Sequence, residues 1–410
     1  MDGAQASAKA PPLALFLLLY APFGVSSGYV TVTLAFLLGA HGISATAVGA
    51  LVALSILPQS WKVIWAPIVD ATLSARAWYL IGAVATGLTL LALTLLPLTP
   101  SAMGWISVLI VASSVASTFT SMSAEVFLAH LEPKLQGRAG GWAQAGNFAG
   151  VGLGGSLALV LVERLPPAWI SGVVLFVLCV ACAAVLPWFH EGAASHRRPN
   201  LARTFLAVGR DVWDTSRTRA GLLVIVLMLL PLGSGGAQAL LNSTASGEWR
   251  VGADLAATVG GLGVGLISIP AALAGGYLCD LMDRRACYCL MGCAVVPILV
   301  AAVFMPRTPF WWTVLSLAYG AAIAAAYSAY MGVVIEVIGK GAAATKFNLM
   351  ASVSNVPITV MPLVDGVFHD KGGSNLMFYG ESALSIAAAV LFALLVRATR
   401  PAVHAVAQAA

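Results

Sequence analysis

A long apolar run ends with Gly276-Tyr277-Leu278-Cys279-Asp280, and the basic pair Arg284-Arg285 follows after three residues. An earlier apolar run ends in the same manner, with Trp65-Ala66-Pro67-Ile68-Val69-Asp70 followed by Arg76. Each segment closes the second apolar run of its own half of the chain. This repeated signal predicts two matched halves of similar architecture, with a central cavity between them.

The composition excludes an ordinary soluble protein. The chain has 410 residues, of which 60% are hydrophobic and 9% charged, whereas a soluble domain carries about a quarter charged residues. The mean hydropathy of +0.93 indicates that lipid surrounds most of the chain. The net charge of +5 is typical of basic residues beside membrane spans. We therefore predict a lipid bilayer as partner and no nucleic acid.

Apolar runs long enough to cross a bilayer, about 20 residues each, recur along the sequence. They predict an all-α membrane protein with twelve transmembrane helices in two pseudo-symmetric six-helix bundles. The bundles are residues 1–190 and 219–410, and a cytoplasmic linker with an amphipathic helix covers 191–218. The predicted spans cover 12–39, 44–70, 77–98, 102–130, 138–162, 167–189, 219–243, 255–279, 286–305, 310–337, 342–367 and 376–397.

The distribution of basic residues predicts the orientation. Of the 21 Lys and Arg residues, sixteen fall on the side of the N-terminus, four fall on the other side, and Lys62 lies within a span. Because positive residues are retained in the cytoplasm, we expect a multi-pass protein with both termini cytoplasmic.

The segment from Gly276 to Arg285 resembles the G-x-L-x-D-R-x-G-R-R turn of the major facilitator superfamily. It departs from that turn at two positions, where Leu281 and Asp283 replace Arg and Gly. The resemblance implies the fold of that superfamily, transport by alternating access, and a gate at the cytoplasmic face. The gating candidates are Asp70, Arg138, Asp280 and Arg284. A simpler role for the same residues is to fix the topology.

Two shorter segments carry a narrower resemblance. The run from Lys62 to Asp70 resembles the K-x-x-W-[SA]-P-x-x-D motif of AmpG-type muropeptide permeases, siderophore permeases and acetyl-CoA transporters. The segment from Ala344 to Ser352 resembles their A-T-Q-F-A-L-L-S-A segment, with Lys346 in place of Gln. This group implies a muropeptide or a siderophore-like anion as solute, with acetyl-CoA ranked lower.

Placing a charged side chain inside a membrane span costs free energy, so each such residue is a candidate for a structural or functional role. Lys62 lies eight residues before Asp70, roughly 12 Å inside the cytoplasmic end of its span. It would bind an anionic solute group or pair with a coupling carboxylate; the alternative is a structural ion pair. Glu125 ends a helical stripe of Ser and Thr in the fourth span, expected to line water, and is the candidate proton-coupling residue. Its alternative is a pair with Arg138 near the interface.

Amide side chains within spans provide further candidates, because an amide both donates and accepts hydrogen bonds. Each could instead hold two helices together. Asp365 lies near a span end, where exposure to water is the simpler expectation. Together with Lys62, the predicted solute-binding residues are Gln144, Asn147, Gln238, Asn242 and Asn355.

These features predict a secondary active transporter, not an enzyme, that imports an organic solute with a proton across the bacterial inner membrane. A uniporter or exporter of the same fold, a sensor and a polytopic membrane enzyme are the alternatives. An enzyme would need a constellation of polar residues at one face, but the six His residues are scattered along the chain. We expect no cofactor, no bound metal and a monomer.

Overall fold

The computed structural model describes residues 11–165, 167–189, 217–338 and 343–399, and a few positions between 206 and 214. The side chains of Asp70, Arg138 and Asp280 lie outside this description, as does most of the predicted linker helix. The described residues form twelve helical spans, several of them built from consecutive helical segments. They are α1 (Leu15–Gly28, Tyr29–Leu34, Ala35–Ala40), α2 (Ala45–Ala71), α3 (Ala75–Leu95), α4 (Met103–Ala129), α5 (Pro133–Gly152, Leu153–Leu157, Ala158–Arg164), α6 (Trp169–Ala181, Cys182–Trp188), α7 (Arg219–Leu229, Gly236–Thr244), α8 (Ala253–Ala256, Ala257–Gly263, Val264–Leu281), α9 (Arg284–Gly292, Val295–Phe304), α10 (Pro309–Ile338), α11 (343–371) and α12 (374–398).

The helices have the length and composition of membrane spans. Nine helical stretches among the described residues are long and apolar enough to cross a membrane. The last of these, Leu349–Ala398, contains most of α11 and all of α12, which the non-helical Gly372 and Gly373 separate. Large apolar side chains such as Leu266, Leu273 and Phe304 are mostly exposed. A surface of this kind is solvated by lipid, and helices are favoured there because they satisfy their own backbone hydrogen bonds.

The helices of each half pack against one another, and several further pairs of described helices join the halves. Within the first six spans the main contacts are α1 with α5, α3 with α4 and α6, and α2 with α4. Within the last six, α10 packs against α8 and α9, and α7 against the α11–α12 pair. Contacts of α2 with α11, α1 with α7 and α5 with α8 join the halves.

Three spans contain a π-helical turn, in which wider backbone spacing frees carbonyl groups from the helix ladder. The π segments are Tyr29–Leu34 in α1, Leu153–Leu157 in α5 and Ala257–Gly263 in α8. Polar side chains bind the backbone of the neighbouring segment. The Thr33 hydroxyl donates to the Gly155 carbonyl at 2.7 Å, and the Ser156 hydroxyl donates to the Ala257 carbonyl. The Thr33 bond joins α1 to α5 within the first half, and the Ser156 bond joins α5 to α8 across the two halves.

The halves approach most closely through glycines in the face that carries the α1–α2, α7–α8 and α11–α12 connections, which is the outer face in the predicted orientation. A side chain at Gly39 in α1 would overlap the Ser243 carbonyl of α7. A side chain at Gly49 in α2 would overlap the Pro362 carbonyl of α11. Glycine permits backbones to touch where any other residue would hold them apart. These contacts close the outer face.

Charged residues also stabilise the outer face. The Asp370 carboxylate accepts hydrogen bonds from the backbone N–H of Ala45 at 3.0 Å and of Thr46 at 2.9 Å, so it caps the start of α2. In the α7–α8 loop, Glu248 pairs with His369 at 2.6 Å. Burial raises the pKa of the Glu248 carboxyl, but hydrogen bonds from His369 and Ser374 outweigh that effect and hold the pKa below its usual value. Because a carboxyl with a lowered pKa stabilises the fold only while it is ionised, this contribution is lost as the pH falls through that pKa.

Gly49→Ala should destabilise the protein, because the added methyl group overlaps a backbone carbonyl and forces α2 away from α11. The expected loss is about 1–3 kcal/mol, measured as the change in unfolding free energy in mild detergent. Gly276→Ala in α8 is the matched control, since a side chain there meets no atom within 4 Å. Equal stability of the two variants would contradict the close packing of α2 and α11.

Candidate solute-binding site

An ion pair lies inside the first half of the molecule. Lys62 Nζ of α2 donates to Glu125 Oε1 of α4 at 2.9 Å, and the two side chains are 15% and 32% exposed. The structure therefore brings together two residues that the sequence marked separately. Of the partners considered for Glu125 from the sequence, Lys62 is the one that contacts it, whereas the Arg138 side chain lies outside the described part.

A second side chain of the Lys62 motif also binds α4. Trp65 Nε1 donates to Thr118 Oγ1 at 3.1 Å. Because Lys62 and Trp65 lie one helical turn apart, both can reach the same neighbouring helix. The spacing K-x-x-W thus attaches α2 to α4 at two levels.

Tyrosines extend the site toward the second half. Tyr20 of α1 lies within electrostatic range of Glu125 and of Tyr327 in α10. Tyr327 is also near Glu125, and its hydroxyl lies close to the side chain of Gln144 of α5. The Gln144–Tyr327 contact links an N-terminal span to a C-terminal one. Lys62, Glu125, Gln144, Tyr20 and Tyr327 therefore form one polar cluster at the junction of the halves, which we call the central cluster.

The expectation that the α4 stripe lines water is wrong. Ser114, Ser117, Thr118 and Ser121 are all at most 3% exposed. Their hydroxyls donate to backbone carbonyls, Ser114 to Ser55 of α2 and the other three to carbonyls of α4 itself. Small hydroxyl residues satisfy themselves on their own helix and allow close packing.

The other amide candidates are distributed along the interface between the halves. Asn242 is fully buried, and its Nδ2 donates to the Thr31 carbonyl of α1 at 3.0 Å. That contact is the helix-joining role that was the alternative for this residue. Gln238 is partly exposed, and its amide nitrogen and oxygen are buried with no hydrogen-bond partner in the described part. Asn147 and Asn355 are also partly exposed. Solute binding by these residues stays a prediction.

Of the gating candidates, the structure describes the side chain of Arg284 alone. Its Nη1 donates to the Gly332 carbonyl of α10 at 3.3 Å. This contact joins α9 to α10 within the last six spans. Among the described residues, the hydrogen bonds that join the two halves include one between Ser60 of α2 and Thr359 of α11, whose hydroxyl oxygens are 3.4 Å apart.

The sequence reading missed several polar residues. Tyr20 and Tyr327 carried no signal, because a tyrosine in an apolar span is indistinguishable from an ordinary packing residue. The expectation that Asp365 is exposed is wrong, since its exposure is 0%. Glu381 in α12, not singled out from the sequence, is 1% exposed. The cost of an intramembrane carboxylate was the signal that could have found it.

The family follows from a match over most of the chain. Residues 16–345 match the family model described as Major Facilitator Superfamily. The chain belongs to this superfamily. No curated protein matches the sequence significantly.

Solved structures of transporters share the fold. The nucleoside transporter NupG is 15% identical, covers 94% of this chain and 98% of its own, and has a TM-score of 0.69. The xylose transporter XylE from E. coli, in a partially occluded inward open conformation, is 12% identical, covers 93% and 97%, and has a TM-score of 0.67. A peptide transporter POT in complex with sulfate is 12% identical, covers 97% and 98%, and has a TM-score of 0.69. At these identities the likeness establishes the fold and leaves the solute open.

The Lys62–Glu125 pair should be energetically coupled, because removal of either partner leaves a partly buried charge. We expect Lys62→Met and Glu125→Gln each to destabilise the protein. The double variant should recover about 1–2 kcal/mol relative to the sum of the single losses.

The measurement is a double-mutant cycle of unfolding free energies in mild detergent. Arg164 and Asp254 provide the control pair, at the same distance of 2.9 Å but with side chains 65% and 69% exposed. Their coupling, measured with Arg164→Met and Asp254→Asn, should be about 0.5 kcal/mol or less. Additive losses at Lys62 and Glu125 would show that the two charges do not stabilise each other.

Proposed function

We propose that this protein is a secondary active transporter of the bacterial inner membrane that imports an organic solute together with a proton. The contact between Lys62 and Glu125 is the observation that carries the proposal. Membership of a transporter superfamily supports solute transport. Because the sequence contains no nucleotide-binding motif, an ion or solute gradient is the proposed driving force.

The ion pair suggests how a proton and an anion would bind together. While Glu125 is ionised, its carboxylate forms an ion pair with the Lys62 ammonium group at 2.9 Å. Protonation of Glu125 would remove that attraction and free Lys62 for an anionic group of the solute. By linkage, a bound anion would in turn raise the affinity of Glu125 for a proton. The two ligands would therefore load cooperatively, as symport requires.

The position of the central cluster fits alternating access. It draws on α1, α2, α4 and α5 from the first half and on α10 from the second. In the proposed cycle the bundles 1–190 and 219–410 rock against each other, and the glycine contacts of the outer face seal one state. Asp70, Arg138, Asp280 and Arg284 would hold the opposite state closed at the cytoplasmic face.

The proposed solute is an anion rich in amides and hydroxyls, of the muropeptide or siderophore type. The lysine matches a carboxylate or another acidic group, and Gln144, Tyr20 and Tyr327 provide donors and acceptors for polar groups. Further contacts would come from Asn147, Gln238, Asn242 and Asn355. We propose a monomer with both termini in the cytoplasm.

Uptake by purified protein in proteoliposomes tests the proposal, with a radiolabelled muropeptide and a labelled ferric siderophore as probes. We expect uptake of one probe to be stimulated by an inwardly directed proton gradient. Glu125→Gln, which imitates the protonated state, should reduce gradient-driven uptake to that of empty liposomes and leave counterflow exchange intact. Lys62→Met should weaken apparent affinity by about tenfold, the loss of one charge-assisted contact.

Glu163→Gln, at an exposed carboxylate near the outer end of α5, is the control and should transport normally. Uptake whose rate does not depend on the proton gradient would favour a uniporter. Loss of counterflow as well in Glu125→Gln would mean that Glu125 binds the solute or supports the fold. Chemical conversion of a probe without its uptake would favour an enzyme.

A further inference from the structure

Two carboxyl side chains are buried side by side in the second half, away from the central cluster. Asp365 lies on α11 and Glu381 on α12, on opposite sides of the turn at Gly372 and Gly373. Their exposures are 0% and 1%, and the two carboxyls are close enough to interact directly. Both lie several residues inside the ends of their spans, where access to water is poor.

The two carboxyls differ in their partners. The Tyr319 hydroxyl of α10 donates to Glu381 Oε1 at 2.5 Å and accepts from the Ala237 backbone N–H of α7 at 3.3 Å. In the described part, neither oxygen of Asp365 has a hydrogen-bond partner, and Oε2 of Glu381 has none. Three buried carboxyl oxygens are thus left without the hydrogen bonds that buried polar atoms require.

Asp365 points at a break in α7. The first segment ends at Leu229, and the second begins at Gly236 after Gly235, which has a φ of 73°. A side chain at Gly236 would overlap Asp365 Oδ2, so glycine is required for this approach. The start of a helix carries about half a positive charge. This partial charge can offset part of one ionised carboxylate but not two.

Charged groups on the surrounding helices are directed elsewhere. The helices packed against α11 and α12 are α2, α7, α9 and α10. In these helices Lys62 pairs with Glu125, and Arg219 binds the Val396 carbonyl at the inner end. On α9 no charged residue occurs between Val295 and Phe304, and on α10 the one acidic residue is Glu336, at the inner end.

Nearby charged groups at the outer face are also engaged. His369, one turn beyond Asp365, binds Glu248, and Asp370 caps α2. Arg307 lies over the rings of Trp249 and Phe378 and binds Asn375. Within the described residues, no cation contacts Asp365 or Glu381. Two adjacent ionised carboxylates in such a place would lack compensation, and the usual resolution is that the pair holds a proton.

We propose that Asp365 and Glu381 form a proton-binding site that holds one proton in this outer-closed conformation. The proton comes from hydronium in water. It is shared between the two carboxyl groups or carried by one of them, and the Tyr319 hydroxyl orients Glu381. The titration belongs to the pair and not to either residue alone. The site is separate from the central cluster and does not depend on the role of Glu125.

The location of the pair connects its proton to closure of the outer face. Asp365 of α11 contacts α7 at Gly236. In the outer face α7 meets α1 at Gly39, and α11 meets α2 at Gly49. Loss of the proton would place two negative charges in contact and push α11 away from α12 and α7. Deprotonation therefore favours separation of the helices that seal the outer face.

Infrared spectroscopy of the purified protein tests for the proton directly, without any transported solute. The wild-type protein at neutral pH should show the carbonyl stretch of a protonated, dehydrated carboxyl group. The double variant Asp365→Asn/Glu381→Gln should lose that band, since both substitutions are nearly isosteric and carry no titratable proton. Glu163→Gln is the control and should retain the band. Glu125→Gln should retain it as well, because the proposal assigns the band to Asp365 and Glu381.

A second measurement follows the stability of the same proteins against pH. A native state that holds one proton more than the unfolded state has an unfolding constant that rises about tenfold per pH unit. We expect this rise above the ordinary titration range of carboxyls in the wild type and a loss of about one proton's dependence in the double variant. A flat wild-type profile, or a band that persists in the double variant, would overturn the proposal.

A bound monovalent cation is the remaining occupant to test. Sodium is added at constant pH and ionic strength, with choline as the replacement. The proton site predicts no sodium-dependent stabilisation. If sodium stabilises the wild type but not the double variant, and the protonated carboxyl band is absent, the site holds a metal ion and not a proton.

Discussion

Polar groups that lie in hydrocarbon must find their partners within the protein. This constraint explains why the described spans are helical, since a helix satisfies its backbone internally. It also explains where the chain departs from regular helix. The π segments of α1, α5 and α8 release backbone carbonyls, and Thr33 and Ser156 bind carbonyls of the neighbouring segment.

The same constraint applies to the charged residues, and the two halves satisfy it differently. In the first half, Lys62 and Glu125 neutralise each other across α2 and α4. In the second half, Asp365 and Glu381 meet with a tyrosine and a helix start as their polar neighbours. The first arrangement suits exchange of a partner for a solute, whereas the second suits occupation by a proton. A transporter with both would sense protons at two separate places.

Close contact between the halves depends on residues without side chains. Gly39 and Gly49 allow backbone-to-backbone approach at the outer face, while Asp370 fixes the start of α2 by capping it. These contacts lie beside a buried apolar cluster that contains residues of both halves, among them Leu38, Val48 and Leu240. The halves are therefore held at this face by glycine contacts and by apolar packing together.

The sequence by itself determined the membrane class, the twelve spans and the superfamily, because hydropathy, span length and the Asp280-to-Arg285 turn are local properties. It also marked Lys62 and Glu125, since a charge inside an apolar span is conspicuous without a structure. Only the tertiary structure decided that these two residues pair, that the hydroxyl stripe of α4 is buried, and that Asp365 faces Glu381. Those outcomes depend on how each helix is rotated about its axis and on which neighbour it meets, and an apolar span that is hydrophobic on every side carries little information about either.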